Sequence, residues 1–291
     1  MLTLNIIGCG KVGGTIGKAL IAKRLVHRIC ILNRSFASAE RARAFVGDGI
    51  AADDFSQLPA ATLWMVATPD SAFPDIASSL STCSTLQPNT IVFHCSGASD
   101  SSVFDKLRDR NVHCASIHPI RSFADPEIAY STFSETICSL EGDVEACAVL
   151  KPLFEKVGTS IFEISKDAKV LSHIGHVFAS NYLVTILDLA QRLYITAGIP
   201  EPLFTSFMKL LAHSALTNVT ALGTTHALTG PISRGEADTI SKHLQALESL
   251  PDASLRAAYL SLARAALEIT LRREHTNIST TQELTRLLRA S

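Results

Sequence analysis

Along residues 1–165, short runs of consecutive apolar residues alternate with stretches whose apolar positions recur at helical spacing. The runs fall at 2–7, 28–32, 62–67, 90–94 and 112–117, and two more, 135–140 and 160–164, flank a helix-like segment at 144–157. Such runs, separated by helical patterns, predict a doubly wound α/β fold with a parallel sheet covered on both faces. The last two runs extend or edge the same sheet. From residue 166 the rhythm is wholly helical. Ser165 is placed to cap a helix reaching Ala197, where Gly198 and Pro200 supply a stop. At 1.5 Å per residue that helix would be ~48 Å long, the spine of a helical domain. Further helices are expected from Pro202 to about Gly223, from the capping-box spacing of Ser233 and Glu236, from Asp252 to Glu274, and after Ser279-Thr-Thr-Gln282. The change of rhythm divides the chain into domains at 1–165 and 166–291 with no low-complexity linker.

Composition narrows the function classes. The 291 residues carry 26 Lys plus Arg against 27 Asp plus Glu, a formal net charge of −1. That balance argues against a nucleic-acid surface, which needs a clustered excess of basic side chains. Seven cysteines, at 9, 30, 83, 95, 114, 138 and 147, show no C-x-x-C spacing and several sit inside apolar runs. They read as reduced, mostly buried thiols of a cytoplasmic protein, with no metal site. The most apolar later stretch, 177–198, is interrupted by Asp188, Gln191 and Arg192, so no membrane span is expected.

The first apolar run leads directly into Gly8-Cys9-Gly10-Lys11-Val12-Gly13. A G-x-G-x-x-G turn between a strand and a helix is the context in which that motif binds dinucleotides. Gly8 permits the tight turn, Gly10 lets a pyrophosphate approach the backbone, and Gly13 lets helix and strand pack closely. The N–H groups at the helix start then face the phosphates. At the end of the second run, where an acidic residue would hold the ribose of NAD, stands Asn33, followed by Arg34 and Ser35. With no carboxylate to repel a 2′-phosphate and an arginine to pair with one, NADP is expected over NAD.

Ligands of an open parallel sheet sit beyond the carboxyl ends of its strands. Those ends carry Thr68-Pro69-Asp70, His94-Cys95-Ser96-Gly97 and His118-Pro119. Thr68, Pro69 and Ser96 are placed to touch the cofactor, and Ser96 and His118 to position a reacting group. His94 reads as a satisfied core histidine. On the helix after Ser165, Lys169, His173, His176 and Ser180 share one narrow face, a polar stripe that either faces water or lines a cleft. Adding a hydride to C=O or C=N also requires a proton, and Lys169 or His173 could deliver it. Arg234, just after the helix-breaking Gly230-Pro231, could clamp an anionic group of a substrate.

These residues resemble a two-domain family that joins a Rossmann-like domain to a helical domain of unknown function (DUF) 2520. The resemblance rests on the glycine turn, His94-Cys-Ser96-Gly97, Ser116-Ile-His118-Pro119, Ala179-Ser-Asn181-Tyr-Leu and Leu228-Thr-Gly-Pro-Ile-Ser-Arg234-Gly-Glu236. At position 236 the family more often has aspartate. The resemblance implies a helical domain similar to the C-terminal domain of 6-phosphogluconate dehydrogenase. It also implies kinship with NADP-dependent reductases such as pyrroline-5-carboxylate reductase and ketopantoate reductase, which are commonly dimers through that domain. Related β-hydroxyacid dehydrogenases carry Lys-x-x-x-Asn where this chain has Lys169 and His173, so their particular chemistry does not transfer. His118-Pro119 is similar to the His-Pro of prephenate dehydrogenases. The expectation is an NADP-dependent oxidoreductase acting on a small polar, anionic substrate in a cleft between the domains, and a homodimer. The rival expectation is a dinucleotide-binding sensor or assembly module without turnover.

Overall fold

The structure is a computed structural model and describes residues 2–273 and 278–290. Eight strands form one sheet: β1 (Thr3–Ile7), β2 (Arg28–Leu32), β3 (Ile50–Ala52), β4 (Leu63–Val66), β5 (Ile91–His94), β6 (His113–Pro119), β7 (Ile137–Gly142) and β8 (Ser160–Glu163). Their order is β3-β2-β1-β4-β5-β6-β7-β8. All neighbours run parallel except β6 and β7, which pair antiparallel with Ser116 opposite Glu141. Every strand expected from an apolar run is present. The three-residue β3 was not foreseen, because a strand that short and that polar in its flanks leaves no periodic signal.

The continuous apolar runs are explained by burial on both sides. One core joins the strands to α1 (Lys11–Ala22), α2 (Phe36–Val46) and α6 (Val144–Val157) through Ile16, Leu20, Val46, Leu150 and Phe154. The opposite core joins them to α3 (Phe73–Thr82) and α4 (Asp105–Arg108) through Trp64, Phe73, Leu80, Phe104 and Leu107. A further short helix, α5 (Pro126–Ser131), follows β6. All seven cysteines are free thiols.

The chain divides into two compact units, residues 1–182 and 183–291. The first unit thus extends past the change of rhythm at 165 and includes α7 (Lys166–Ala179). The expected single spine helix is two helices, α7 and α8 (Asn181–Thr196), because Ser180 leaves the helical region at φ −123° and ψ −68°. Ser180 therefore drops out of the polar stripe. Small polar residues are frequent places for such a break. Ser165 stands at the N-cap of α7 but its hydroxyl makes no capping hydrogen bond. Within Lys166–Thr196, which the break at Ser180 divides, an 18-residue window of mean hydropathy 1.3 is apolar enough, by length and composition alone, to be a candidate membrane span.

In the second unit, α9 (Glu201–Ala227) is interrupted at Gly223, where φ is +73°. After it come α10 (Pro231–Arg234), α11 (Ala237–Glu248), α12 (Ala253–Leu271) and α13 (Ile278–Ala290). Asp252 caps α12 by accepting from the Ser254 N–H at 3.0 Å. The expected Ser233–Glu236 capping box is absent. Ser233 lies inside the α10 turn and its hydroxyl donates to the Gly230 carbonyl, while Glu236 is held by Arg234. The final helix begins at Ile278, ahead of the expected cap at Ser279. Ile240, Leu244, Leu260, Leu267, Leu284 and Leu288 form the core of this unit. The apolar residues of α7 and α8 are not the buried spine that composition suggested: Val170, Leu171, Phe178 and Val184 are all more than half exposed.

Candidate functional site

The glycine turn sits where β1 passes into α1. Gly8 has φ +82°, and a Cβ there would stand 2.3 Å from Thr68 Cγ2, so the turn itself excludes any other residue. At Gly13 a Cβ would come 3.1 Å from the Ala67 Cβ and 3.2 Å from the Gly8 carbonyl. Gly10 differs, since a Cβ there would meet nothing within 4 Å. The protein's own packing does not require glycine at that position. Open space over the first turn of a helix, beside N–H groups with no intrahelical partner, is what a phosphate group needs.

A groove of about 800 Å³ opens from this turn. Gly8, Cys9, Gly10, Asn33, Arg34, Ser35, Thr68 and Pro69 line it, together with Ser38, Arg41 and Asp53. Lys11, Val12 and Gly13 belong to the turn but not to the groove wall; the Lys11 amine donates to the Ala124 carbonyl at 2.6 Å. The Thr68 hydroxyl is buried without a hydrogen-bond partner. No partner for the Arg34 or Arg41 guanidinium exists among the described residues, whereas Arg43 is paired with Glu40 at 3.0 Å. Asp53 was missed because it follows the unrecognised β3. Asn33 has a different task from the one its position suggested. Its Oδ1 accepts from the Cys9 N–H at 2.7 Å and its Nδ2 donates to the Ser38 carbonyl at 3.1 Å, so it braces the turn against α2. Ser35 caps α2, accepting from the Ser38 N–H.

The polar stripe of α7 packs on the C-terminal ends of β5 and β6. Lys169 is 1% exposed. Its Nζ donates to Ser116 Oγ at 2.8 Å and to the Ser96 carbonyl at 3.3 Å. Burial pulls its pKa below the ordinary lysine range, opposed by the negative charges of Glu141, Asp100 and Asp70. Glu141 is itself buried and accepts from both the N–H and the hydroxyl of Ser101 at 2.8 Å. Ser116 was not among the expected site residues; a lone serine inside an apolar run carries no signal until a partner is placed against it.

Ser96 approaches Lys169 through its carbonyl, and its hydroxyl is fully engaged elsewhere. That hydroxyl donates to Asp70 at 2.6 Å and accepts from the N–H groups of Ala98 and Ser99. His118, His173 and His176 come together, with ring centroids 5.9 Å apart for His118 and His173 and 5.6 Å for His118 and His176. Burial, reinforced by Lys169 and the other two imidazoles, lowers the His118 pKa to about 4. His94 is fully buried, donates from Nε2 to the Asp100 carbonyl at 3.0 Å, and accepts at Nδ1 from the Ser96 N–H, the satisfied core histidine expected. In the second unit, Arg234 makes a two-point ion pair with Glu236. Among the described residues no cluster of His, Cys, Asp and Glu could hold a metal ion.

Residues 136–266 match the domain of unknown function DUF2520. Residues 1–119 match the Rossmann-like domain family. The chain thus carries both parts of the family it resembles in sequence. No curated protein sequence matches it. Among solved structures it is similar to a candidate NADP oxidoreductase from Bacteroides fragilis, with TM-score 0.76, 21% identity and coverage of 91% of this chain and 97% of the other. It is also similar to a Thermotoga maritima protein, with TM-score 0.70, 25% identity and coverage of 93% and 100%. The imine reductase of Myxococcus stipitatus, in complex with NADP+, gives TM-score 0.68 at 15% identity, covering 97% and 99%. These likenesses establish the fold, a Rossmann-like domain followed by a helical domain.

Proposed function

We propose that the chain is a pyridine-nucleotide-dependent oxidoreductase that prefers NADP and reduces a C=N or C=O bond of a small polar substrate. The observation that carries this reading is the buried Lys169 amine, held against the strand ends of the same unit that forms the glycine-turn groove. Bound NADPH would supply the hydride. The open space at Gly10 and the first-turn N–H groups suit its pyrophosphate. The orphaned Thr68 hydroxyl lies in the same wall, and Arg34 and Arg41 suit a 2′-phosphate. Lys169 would hold the proton. Ser116 and the Ser96 carbonyl receive two of its three N–H bonds and fix its direction, which leaves the third for a reacting oxygen or nitrogen. Burial against the sheet counts against a sensor without turnover, which would have no use for an amine removed from water. The similarity to an imine reductase and to an NADP oxidoreductase supports the same class.

We also propose a cytoplasmic homodimer formed through the helical half, since Leu171, Phe178 and Val184 are left exposed in the single chain.

The test is a melting curve and a substrate panel. NADPH should raise the Tm more than NADH does, and Arg34→Ala should weaken NADPH binding about tenfold or more while changing NADH binding little. Equal losses for both would remove the 2′-phosphate assignment. A panel of oxo acids and cyclic imines, followed by NADPH consumption, and prephenate, followed by NADP+ reduction, should give turnover that Lys169→Ala abolishes. NADPH binding with no consumption across the panel would favour the sensor.

A further inference from the structure

Three imidazoles with no carboxylate in contact are an unusual thing to gather at one end of a sheet. His118 comes from the end of β6, and His173 and His176 from one face of α7. Gly97 lies between them: a Cβ there would press on the His173 ring and stand 2.8 Å from the His118 ring, so a larger residue would push the rings from their present places. Two ring nitrogens in the cluster, Nδ1 of His118 and Nδ1 of His176, are buried without a hydrogen-bond partner. A buried polar atom left unpaired costs on the order of 1–3 kcal/mol, and two in one cluster point to a missing partner. The partner is not a metal, since the cluster lacks ligand geometry.

The charges around the cluster indicate its sign. Lys169 stands on the same helix face. Asp70, the acid whose charge acts on His118, accepts from the hydroxyls of Ser96 and Ser99 at 2.6 and 2.7 Å. Asp100 caps the turn at Ser102, and Glu141 is held by Ser101. The imidazoles therefore face one another and Lys169, with the neighbouring carboxylates already satisfied.

We infer that His118, His173 and His176 form the receptor for a carboxylate group of the substrate. The two orphaned nitrogens match the two oxygens of a carboxylate, His118 and His176 each donating an Nδ1–H, while His173 packs against the His118 ring. A phosphate dianion presents three oxygens to these two donors. Binding draws a proton onto His118, because the anion offsets the burial and the neighbouring positive charge that keep the ring neutral. This inference rests on the reading of the same unit as an NADP-dependent site, and it narrows the substrate to an acid carrying its reducible bond within reach of Lys169.

The experiment is imidazole NMR at pH 6 on the full chain, with NADPH binding read separately as a rise in Tm. Sodium acetate, at tens of millimolar, should move the His118 and His176 resonances saturably and shift His118 towards the imidazolium form. Equimolar sodium chloride and acetamide should not. His173→Gln and His176→Gln should each weaken the acetate response severalfold and keep the NADPH-induced rise in Tm. Acetate without effect on these rings, or a response no greater than that to chloride, overturns the carboxylate receptor. A stronger response to inorganic phosphate than to acetate overturns it in favour of a phosphorylated substrate. Loss of NADPH stabilisation in the unaltered protein would instead overturn the cofactor reading and leave the acetate result to stand by itself.

Discussion

The ammonium of Lys169 has lost nearly all of its water and has gained one hydroxyl and one carbonyl in exchange. Neither acceptor carries a formal charge, so burial outweighs them and its pKa falls. If this amine is the general acid, turnover needs it protonated and declines as pH rises through that lowered pKa, on the alkaline side of the profile. Ser116 Oγ stabilises the charged form by accepting from it. Ser116→Ala should therefore move the alkaline limb to lower pH with NADPH binding unchanged, whereas a merely structural role would lower the rate without moving the limb. His94 makes a second residue-scale prediction. Burial, helped by Lys169 and opposed by the Asp100 carbonyl and the charges of Asp70 and Asp100, lowers its pKa to about 4. The unfolded chain takes up this proton near pH 6.5 and the folded chain does not until about pH 4. Stability is thus fully present above pH 6.5 and falls as pH drops through that window, by on the order of 3 kcal/mol. Urea midpoints between pH 7.5 and 4.5 should fall less steeply for His94→Gln than for the unaltered protein. Equal slopes would show that other groups carry the acid dependence.

At the scale of elements, the glycine turn works because β1, α1, β2 and α2 are tied together by Asn33. The amide joins the Cys9 N–H to the start of α2. Asn33→Ala would leave that N–H unpaired and part-buried, costing about 1–2 kcal/mol. The expected result is a Tm lower by several degrees and equal weakening of NADPH and NADH, in contrast to Arg34→Ala. A selective loss of NADPH in Asn33→Ala would show that Asn33 reads the cofactor after all. The same element illustrates what sequence can carry. The turn was legible because its glycines stand at fixed spacing between a strand and a helix, and β2 was legible because four apolar positions, Ile29 to Leu32, follow one another. The role of Asn33 was not legible, since a side chain's hydrogen-bond partners depend on which helix folds over it. The break at Ser180 was hidden for a similar reason: the apolar period runs through it unchanged, and only the backbone angles separate α7 from α8. Ser116 and Glu141 became meaningful only when the antiparallel pairing of β6 with β7 set them opposite one another.

For the whole molecule, the distribution of apolar surface is uneven. The sheet buries its large side chains almost completely, with Trp64, Phe93, Phe104 and Phe154 at 0% exposure. Leu171, at 73%, and Phe178, at 63%, lie in the open. A monomer rarely leaves such residues uncovered, because each exposed leucine-sized side chain forgoes about 1.5–3 kcal/mol of burial. Light scattering should give about twice the 31.2 kDa chain mass. The double substitution Leu171→Glu with Phe178→Glu should return the monomer mass with the sheet still folded by circular dichroism. A dimer that survives both charges would place the interface elsewhere.

Gly10 offers a practical handle on all of these questions. Its neighbours leave room for a methyl group and its φ is negative, so alanine there should neither strain the chain nor disturb a contact. The methyl group would project into open space, where the proposed pyrophosphate would lie. Gly10→Ala should thus produce a protein with native melting behaviour that is blind to nucleotides. Placed in a cell, such a variant would separate whatever this protein does by being present from whatever it does by transferring electrons.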